Sequence, residues 1–298
     1  MHFFTQPTLF PSMKRWQLLT LISIVLAVLA GCAALDQKQG ELIFQPTDRT
    51  WGGYGGAQGM TDAWIAFDSR LTGNPVKLHA LWLAADANGA GQNTDLDTGP
   101  VMLYLHGSRW NVTSSAFRAR RMQELGFSVL ALDYRGFGKS DPFAPTESSA
   151  YEDARAAWDW LATKYPTRAR YVFGHSLGAA IAIELASQVP DEAGIVVEGA
   201  FTSIPDVVST MKWGWLPVGP FITQRFDAAS KVGRVGSPLL VVHGSEDALI
   251  KPELGRRLFE AARAPKAFVL VEGGSHHNTN SIGQAQYRTA MALLFGLK

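Results

Sequence analysis

The 298-residue sequence holds a single cysteine, Cys32. No intramolecular disulfide can form, and no zinc site can be built on thiolates. Charge is scarce and balanced: charged residues make up 18% of the chain, with 27 basic against 26 acidic, where a quarter is usual. A net charge of +1 gives no electrostatic case for nucleic acid or for a polybasic membrane-binding surface. There is no internal repeat, and no apolar run reaches the roughly 20 residues of a membrane-spanning helix. What is plentiful is glycine, with 29 residues, and hydrophobic residues at 47%. That composition suits one large buried core with many tight turns and argues against disorder.

The longest apolar stretch, Leu18 to Ala30, follows Lys14-Arg15 and ends at Gly31-Cys32. A basic start, about a dozen apolar residues and a small-residue end make a secretory signal. Leu29-Ala30-Gly31-Cys32 resembles a bacterial lipobox, and the only cysteine stands at the position a lipobox requires. The resemblance implies cleavage before Cys32 and diacylglycerol on its thiol, with residues 1–31 as signal peptide and 32–59 as a tether. Ala33, where enterobacterial lipoproteins retained at the inner membrane have Asp, implies sorting to the outer membrane, facing the periplasm. The alternative is an uncleaved anchor with an incidental cysteine. Met13-Lys14-Arg15 also reads as a start, so the first residue is Met1 or Met13.

Beyond the tether, apolar runs alternate with helical patterns. Strands are expected at Trp64–Phe67, Val76–Leu83, Val101–Leu105, Phe127–Leu132, Arg170–Phe173, Gly194–Val197, Leu239–Val242 and Phe268–Val271. Helices are expected at Ser115–Leu125, Tyr151–Lys164, Leu177–Gln188, Pro252–Ala262 and Ile282–Leu294, with a polar surface loop at Asp86–Pro100. This alternation predicts an α/β, doubly wound and mostly parallel sheet, with functional residues at the carboxyl ends of strands. One segment, 201–236, departs from it. It carries Trp213, Trp215, Pro217, Pro220 and Phe221 and reads as a short lid. Its tryptophans cover core, line an acyl pocket or meet lipid headgroups.

Gly174-His175-Ser176-Leu177-Gly178 matches G-x-S-x-G between an expected strand and an expected helix. A strand that becomes a helix within one residue leaves the serine in strained backbone with its hydroxyl exposed, and leaves no room for side chains two positions either side. A serine hydroxyl needs a base, and the base needs an orienter. Asp247, in Gly244-Ser245-Glu246-Asp247, is the acid candidate, ahead of Glu246 and the more distant Asp227. The base lies in Gly274-Ser275-His276-His277-Asn278-Thr279. His276 is favoured, with His277 as runner-up. The N–H groups of Leu177 and Ser108 are expected to form the oxyanion hole. His106 and His243 are expected to tie loops, His175 to bond nearby, and His79 to face solvent. A metal held by His276 and His277 is the bland rival, although adjacent histidines rarely converge on one ion.

These segments carry a family resemblance. His106-Gly107, Asp133-Tyr134-Arg135-Gly136-Phe137-Gly138-Lys139-Ser140, the serine motif, and Gly244-Ser245-Glu246-Asp247 with Pro252 stand in the order of the α/β-hydrolase superfamily. The histidine motif departs from the family's Gly-Thr-His-Asn-Asp-Thr by its second histidine. The likeness covers about residues 60–298 and is greatest to the small-lid branch of palmitoyl-protein depalmitoylases, related bacterial esterases and peptidase-like hydrolases. It implies hydrolysis of a small acyl ester or thioester through an acyl-enzyme, with no cofactor and with the membrane as partner through the lipid anchor. An amide-cleaving peptidase and a lipoprotein binding module without activity are the alternatives.

Overall fold

The structure, a computed structural model, describes residues 15–47, 54–85, 99–212, 214–263 and 265–297. The two candidate starts, most of the polar loop 86–100, and Trp213 lie outside them.

Eight strands form one sheet: β1 (Thr61–Asp68), β2 (Pro75–Leu83), β3 (Val101–Leu105), β4 (Ser128–Leu132), β5 (Arg170–His175), β6 (Glu192–Glu198), β7 (Leu239–Gly244) and β8 (Lys266–Val271). Their order is β1-β2-β4-β3-β5-β6-β7-β8. The β1–β2 and β2–β4 pairs are antiparallel and every later pair is parallel. The apolar runs follow from burial on both faces. Along β3, Leu103 and Leu105 enter one apolar layer while Met102 and Tyr104 enter the other, and β4 and β7 divide their residues the same way.

Helices α1 (Arg15–Phe44) to α9 (Gln284–Phe295) cover the two faces. One layer takes residues from α3 (Glu147–Lys164), α4 (Leu177–Ala186), α6 (Ala229–Val232) and α7 (Pro252–Ala261); the other takes them from α2 (Val112–Gln123) and α9. Two helices begin earlier than apolar periodicity suggests, because caps precede the first core residue by a turn. The Asn111 side chain accepts from Ser114 N–H at 3.1 Å to start α2. Thr146 and Ser149 form a capping box that starts α3. Among the described residues of the lid segment, the helical elements are α5 (Ile204–Ser209), a 3₁₀ turn at Gly219–Phe221, and α6.

Of the expected tether 32–59, residues 32–44 are helical. α1 continues unbroken through Cys32 to Phe44. Ala34, Leu35, Gln37, Lys38, Glu41 and Leu42 are good helix formers and no proline intervenes. Gly40 is required by packing, since a Cβ there would lie 2.5 Å from Pro145 O. The helix ends by burying Phe44, whose ring lies 6.2 Å from Phe137 and 5.6 Å from Phe226. Among the described residues α1 is the one helix long and apolar enough to cross a membrane, and none of its apolar part is buried.

His79 does not face solvent. β2 is covered on both edges, and the ring is 1% exposed. Its Nδ1 lies 3.0 Å from Asp133 Oδ2 and its Nε2 2.9 Å from Asp62 Oδ1, while the other Asp62 oxygen, Oδ2, accepts from Lys139. Burial works against the charged ring, but the two carboxylates outweigh it and raise the pKa above the ordinary histidine value. A raised native pKa gives stability that is fully present below about pH 6.5 and is lost as pH climbs through the native value. His79→Gln should cost about 1–3 kcal/mol in acid conditions, and the gap should narrow above about pH 7. Melting curves of both proteins across this range test it; parallel pH profiles would remove the charge-pair account.

Candidate active site

Ser176 sits between the end of β5 and the first residue of α4, with φ 55° and ψ −120°. A non-glycine residue held there costs on the order of 1–3 kcal/mol, which its surroundings must supply. Its N–H donates to Glu198 O at 2.9 Å, so the neighbouring strand clamps the turn. A Cβ at position 174 would lie 2.3 Å from Gly178 O, and one at 178 would lie 2.1 Å from Leu105 O. Both glycines are therefore steric requirements of the turn. Leu177 opens α4, so its N–H has no acceptor within the helix and adds to the positive end of the dipole.

Asp247 and His276 meet beyond the ends of β7 and β8, with His276 Nδ1 2.7 Å from Asp247 Oδ2. Both are buried. The other oxygen, Oδ1, accepts the N–H groups of Leu249 at 3.0 Å and Ile250 at 2.8 Å. Burial opposes ionisation of Asp247, but bonds from His243 and His276 outweigh it and hold the carboxyl well below its usual range. With Nδ1 donating to Asp247, the neutral His276 ring keeps its Nε2 lone pair as a base. Gly199, with φ +58°, brings β6 against this pair: a Cβ on it would lie 3.2 Å from His276 Cε1 and 3.6 Å from Asp247 Oδ2.

The rival candidates go elsewhere. Glu246 is exposed, and Asp227 accepts from Ser230 N–H in the lid segment. His277 is exposed, its ring turned 83° from that of His276 with centroids 5.5 Å apart, so the two do not converge on one ion. Among the described residues no three histidine, cysteine or acidic side chains form a metal cage. His106 bonds Gly107 O at 2.7 Å and His243 bonds Ile250 O at 2.9 Å.

The loop after β3 lies against the serine: a Cβ on Gly107 would be 3.1 Å from Ser176 Cβ. Ser108 follows, and then Arg109 and Trp110 adopt φ 63° and φ 57° before α2 begins. The loop is tied down from α1, with Arg109 N–H donating to Phe44 O at 2.7 Å and Arg109 Nε to Gln45 Oε1 at 2.8 Å.

Sequence reasoning missed a buried group beneath the histidine loop. Arg118 of α2 donates through Nε to Glu198 Oε1 at 3.2 Å. Its Nη2 donates to His276 O at 3.2 Å and His277 O at 3.3 Å, and lies 3.0 Å from His175 Nε2. Tyr287 OH bonds the other Glu198 oxygen. Burial, Arg118 and His276 together keep His175 well below its ordinary pKa and hence neutral. Glu198 thus holds the serine's N–H through its backbone and, through Arg118, the backbone of His276. A signal was available: Arg118 falls in the stripe Ser115, Ala119, Met122 that α2 buries, and Glu198 ends an apolar strand where site residues gather. The Asp133–Ser140 motif, by contrast, braces the loop after β4: Asp133 accepts Val112 N–H at 2.8 Å, and Arg135 Nε bonds Asp153 at 2.7 Å.

A family model described as "Serine aminopeptidase, S33" matches residues 98–226, which span the β3 loop and the Ser176 turn. An uncharacterized protein of Mycobacterium tuberculosis is 36% identical over 189 residues, 62% of this chain and 66% of that one. The human alpha/beta hydrolase domain-containing protein 17B is 29% identical over 192 residues, 62% of either chain. The match spans less than two thirds of the length of these relatives. An esterase of Pyrococcus furiosus superposes with a TM-score of 0.64 at 19% identity, over 84% of this chain and 96% of that one. The likeness is one of fold.

Arg118 acts on the site only through other residues, so its loss should be separable from unfolding. Arg118→Met leaves Glu198 as an uncompensated buried charge and should cost about 3–5 kcal/mol of stability. Adding Glu198→Gln should restore most of that. Turnover of an activated ester by the double variant should stay down roughly tenfold to a hundredfold in kcat with KM little changed. Full kcat in a stable double variant would reduce the network to a packing feature.

Proposed function

We propose that this chain, whose fold is that of the α/β-hydrolases, is a member of that superfamily and a serine hydrolase cleaving carboxylic esters or thioesters through an acyl-enzyme. The observation that supports this reading is a strained Ser176 whose N–H is held by Glu198 O, while Gly199, the next residue, packs on a His276 bonded to the buried Asp247. Ser176 Oγ attacks the acyl carbonyl as His276 Nε2 takes its proton, and the carbonyl electrons move to oxygen. The N–H groups of Leu177 and Ser108 hold that oxyanion, each worth about 2.7–4 kcal/mol of barrier. The tetrahedral adduct collapses, the bond to the alcohol or thiol breaks, and His276 returns the proton to the leaving group. Water then attacks the acyl-enzyme by the same route and frees the acid and Ser176. Asp247 stays ionised throughout, because its carboxyl lies far below neutral pH. An amide would be attacked in the same way, as the description of the matching family model suggests. A panel of matched esters and aminoacyl amides separates the two.

The small lid also supports a place among the depalmitoylase-like hydrolases. The apolar, unburied start of α1 and the exposed Cys32 support a lipid-anchored protein of the bacterial envelope, at the outer membrane facing the periplasm. Metabolic labelling with an alkyne fatty acid should mark the unmutated chain and not Cys32→Ala. A chain that takes up no acyl group removes this part of the proposal.

For the catalytic part, a fluorophosphonate probe should label the full-length protein in detergent. Ser176→Ala and His276→Ala should abolish labelling and lower ester turnover by roughly a thousandfold or more, while His277→Ala should keep both. Undiminished turnover in Ser176→Ala would end the proposal.

A further inference from the structure

The lid segment exposes a group of large apolar side chains that nothing in the described chain covers. Trp215 is 74% exposed and Phe221 69%, and Met211, Leu216 and Val218 are exposed beside them. These side chains therefore do not line the interior as an acyl pocket would require. From Met211 to Arg225 the only charged residues are Lys212 and Arg225. Aromatic and apolar residues mixed with cations, and free of carboxylates, suit the interface of an anionic bilayer.

The segment is also bound to the helix that carries the anchor. Gln39 donates through Nε2 to Phe221 O at 2.7 Å and accepts Thr223 N–H at 2.8 Å. Asp36 accepts from Gln224 Nε2 at 2.8 Å. Positions 36, 39 and 40 lie on one face of α1, and Gly40 packs on Pro145. Cys32 stands one turn, roughly 6 Å, before Asp36. Whether an intact α1 or an acyl group on Cys32 enters the membrane, the contact face at Asp36 and Gln39 brings the lid to its surface.

We propose that Met211, Trp215, Leu216, Val218 and Phe221 form a bilayer-docking surface that lies on anionic lipid and presents the active site to acyl groups held in the membrane. The proposal rests on the envelope-anchored reading above. The lid segment begins at residue 201, two residues after Gly199, which packs against His276 and Asp247. The chain therefore passes directly from the site into the segment that carries the exposed apolar group. The substrate class that fits is a long-chain acyl ester or thioester embedded in the bilayer, whose acyl chain need not cross bulk water.

The test uses the full-length chain with vesicles of phosphatidylcholine and a minority of phosphatidylglycerol. Emission lost on Trp215→Phe is that of Trp215. In bound protein it should be quenched by brominated acyl chains and protected from aqueous iodide. The variant Trp215→Ser/Phe221→Ser should keep its turnover of a short soluble ester and lose roughly tenfold or more on a long-chain ester held in the vesicles. A full-length chain that stays in the aqueous fraction removes the anchor and the docking surface together. A vesicle-bound chain whose Trp215 is quenched by iodide, or a double variant equally active on both substrates, removes the docking surface and leaves the anchor standing.

Discussion

The structure of this chain depends on one steric constraint, the lack of room around Ser176. Strand β5 must become helix α4 without an intervening loop, and the carbonyls of Gly178 and Leu105 stand where Cβ atoms at 174 and 178 would be. That crowding fixes the serine in a backbone conformation it would not adopt alone. It also sets β3, β5 and β6 around it: β3 supplies the Gly107 loop, and β6 supplies the carbonyl of Glu198 that receives the serine's N–H. The acid and the base come from the next two strand ends, so the parallel sheet brings together residues far apart in sequence.

The sheet and the turn that holds Ser176 were legible because each rests on a local pattern. Val101–Leu105 of β3, Val129–Leu132 of β4 and Leu239–Val242 of β7 are unbroken apolar runs because their alternate side chains enter different layers. The Ser176 turn is marked by its own glycines, and the choice of His276 over His277 agrees with the bond to Asp247. Helix starts were legible only through their caps, Asn111 and Thr146, which precede the apolar periodicity. The rest failed for a physical reason. His79 was read as outward because strand alternation says nothing about a carboxylate arriving from the loop after β4. Arg118 and Tyr287 were passed over because, although the buried stripe of α2 marks Arg118 as inward, a partner 80 or 89 residues away is not named by any local pattern.

The first helix shows how an element can serve two regions at once. Its apolar start is unburied, while its last turns make specific polar contacts with the lid and end in a buried phenylalanine. The expected boundary at Cys32 falls inside this one helix. The tie from Phe44 O to Arg109 runs from this helix into the loop that bears Ser108, so the same element borders the lid and the expected oxyanion loop.

The span of the buried Arg118 network bears on the order of events in folding. Its links close loops of 80, 101 and 158 residues. Such non-local contacts come late, after the chain entropy of the intervening segments has been given up. Individual strand pairs can form earlier, but the histidine loop has no seat until α2, β6 and the region after β8 are all in place. A partly folded chain therefore holds Ser176, Asp247 and His276 before it holds the buried network that seats the histidine loop.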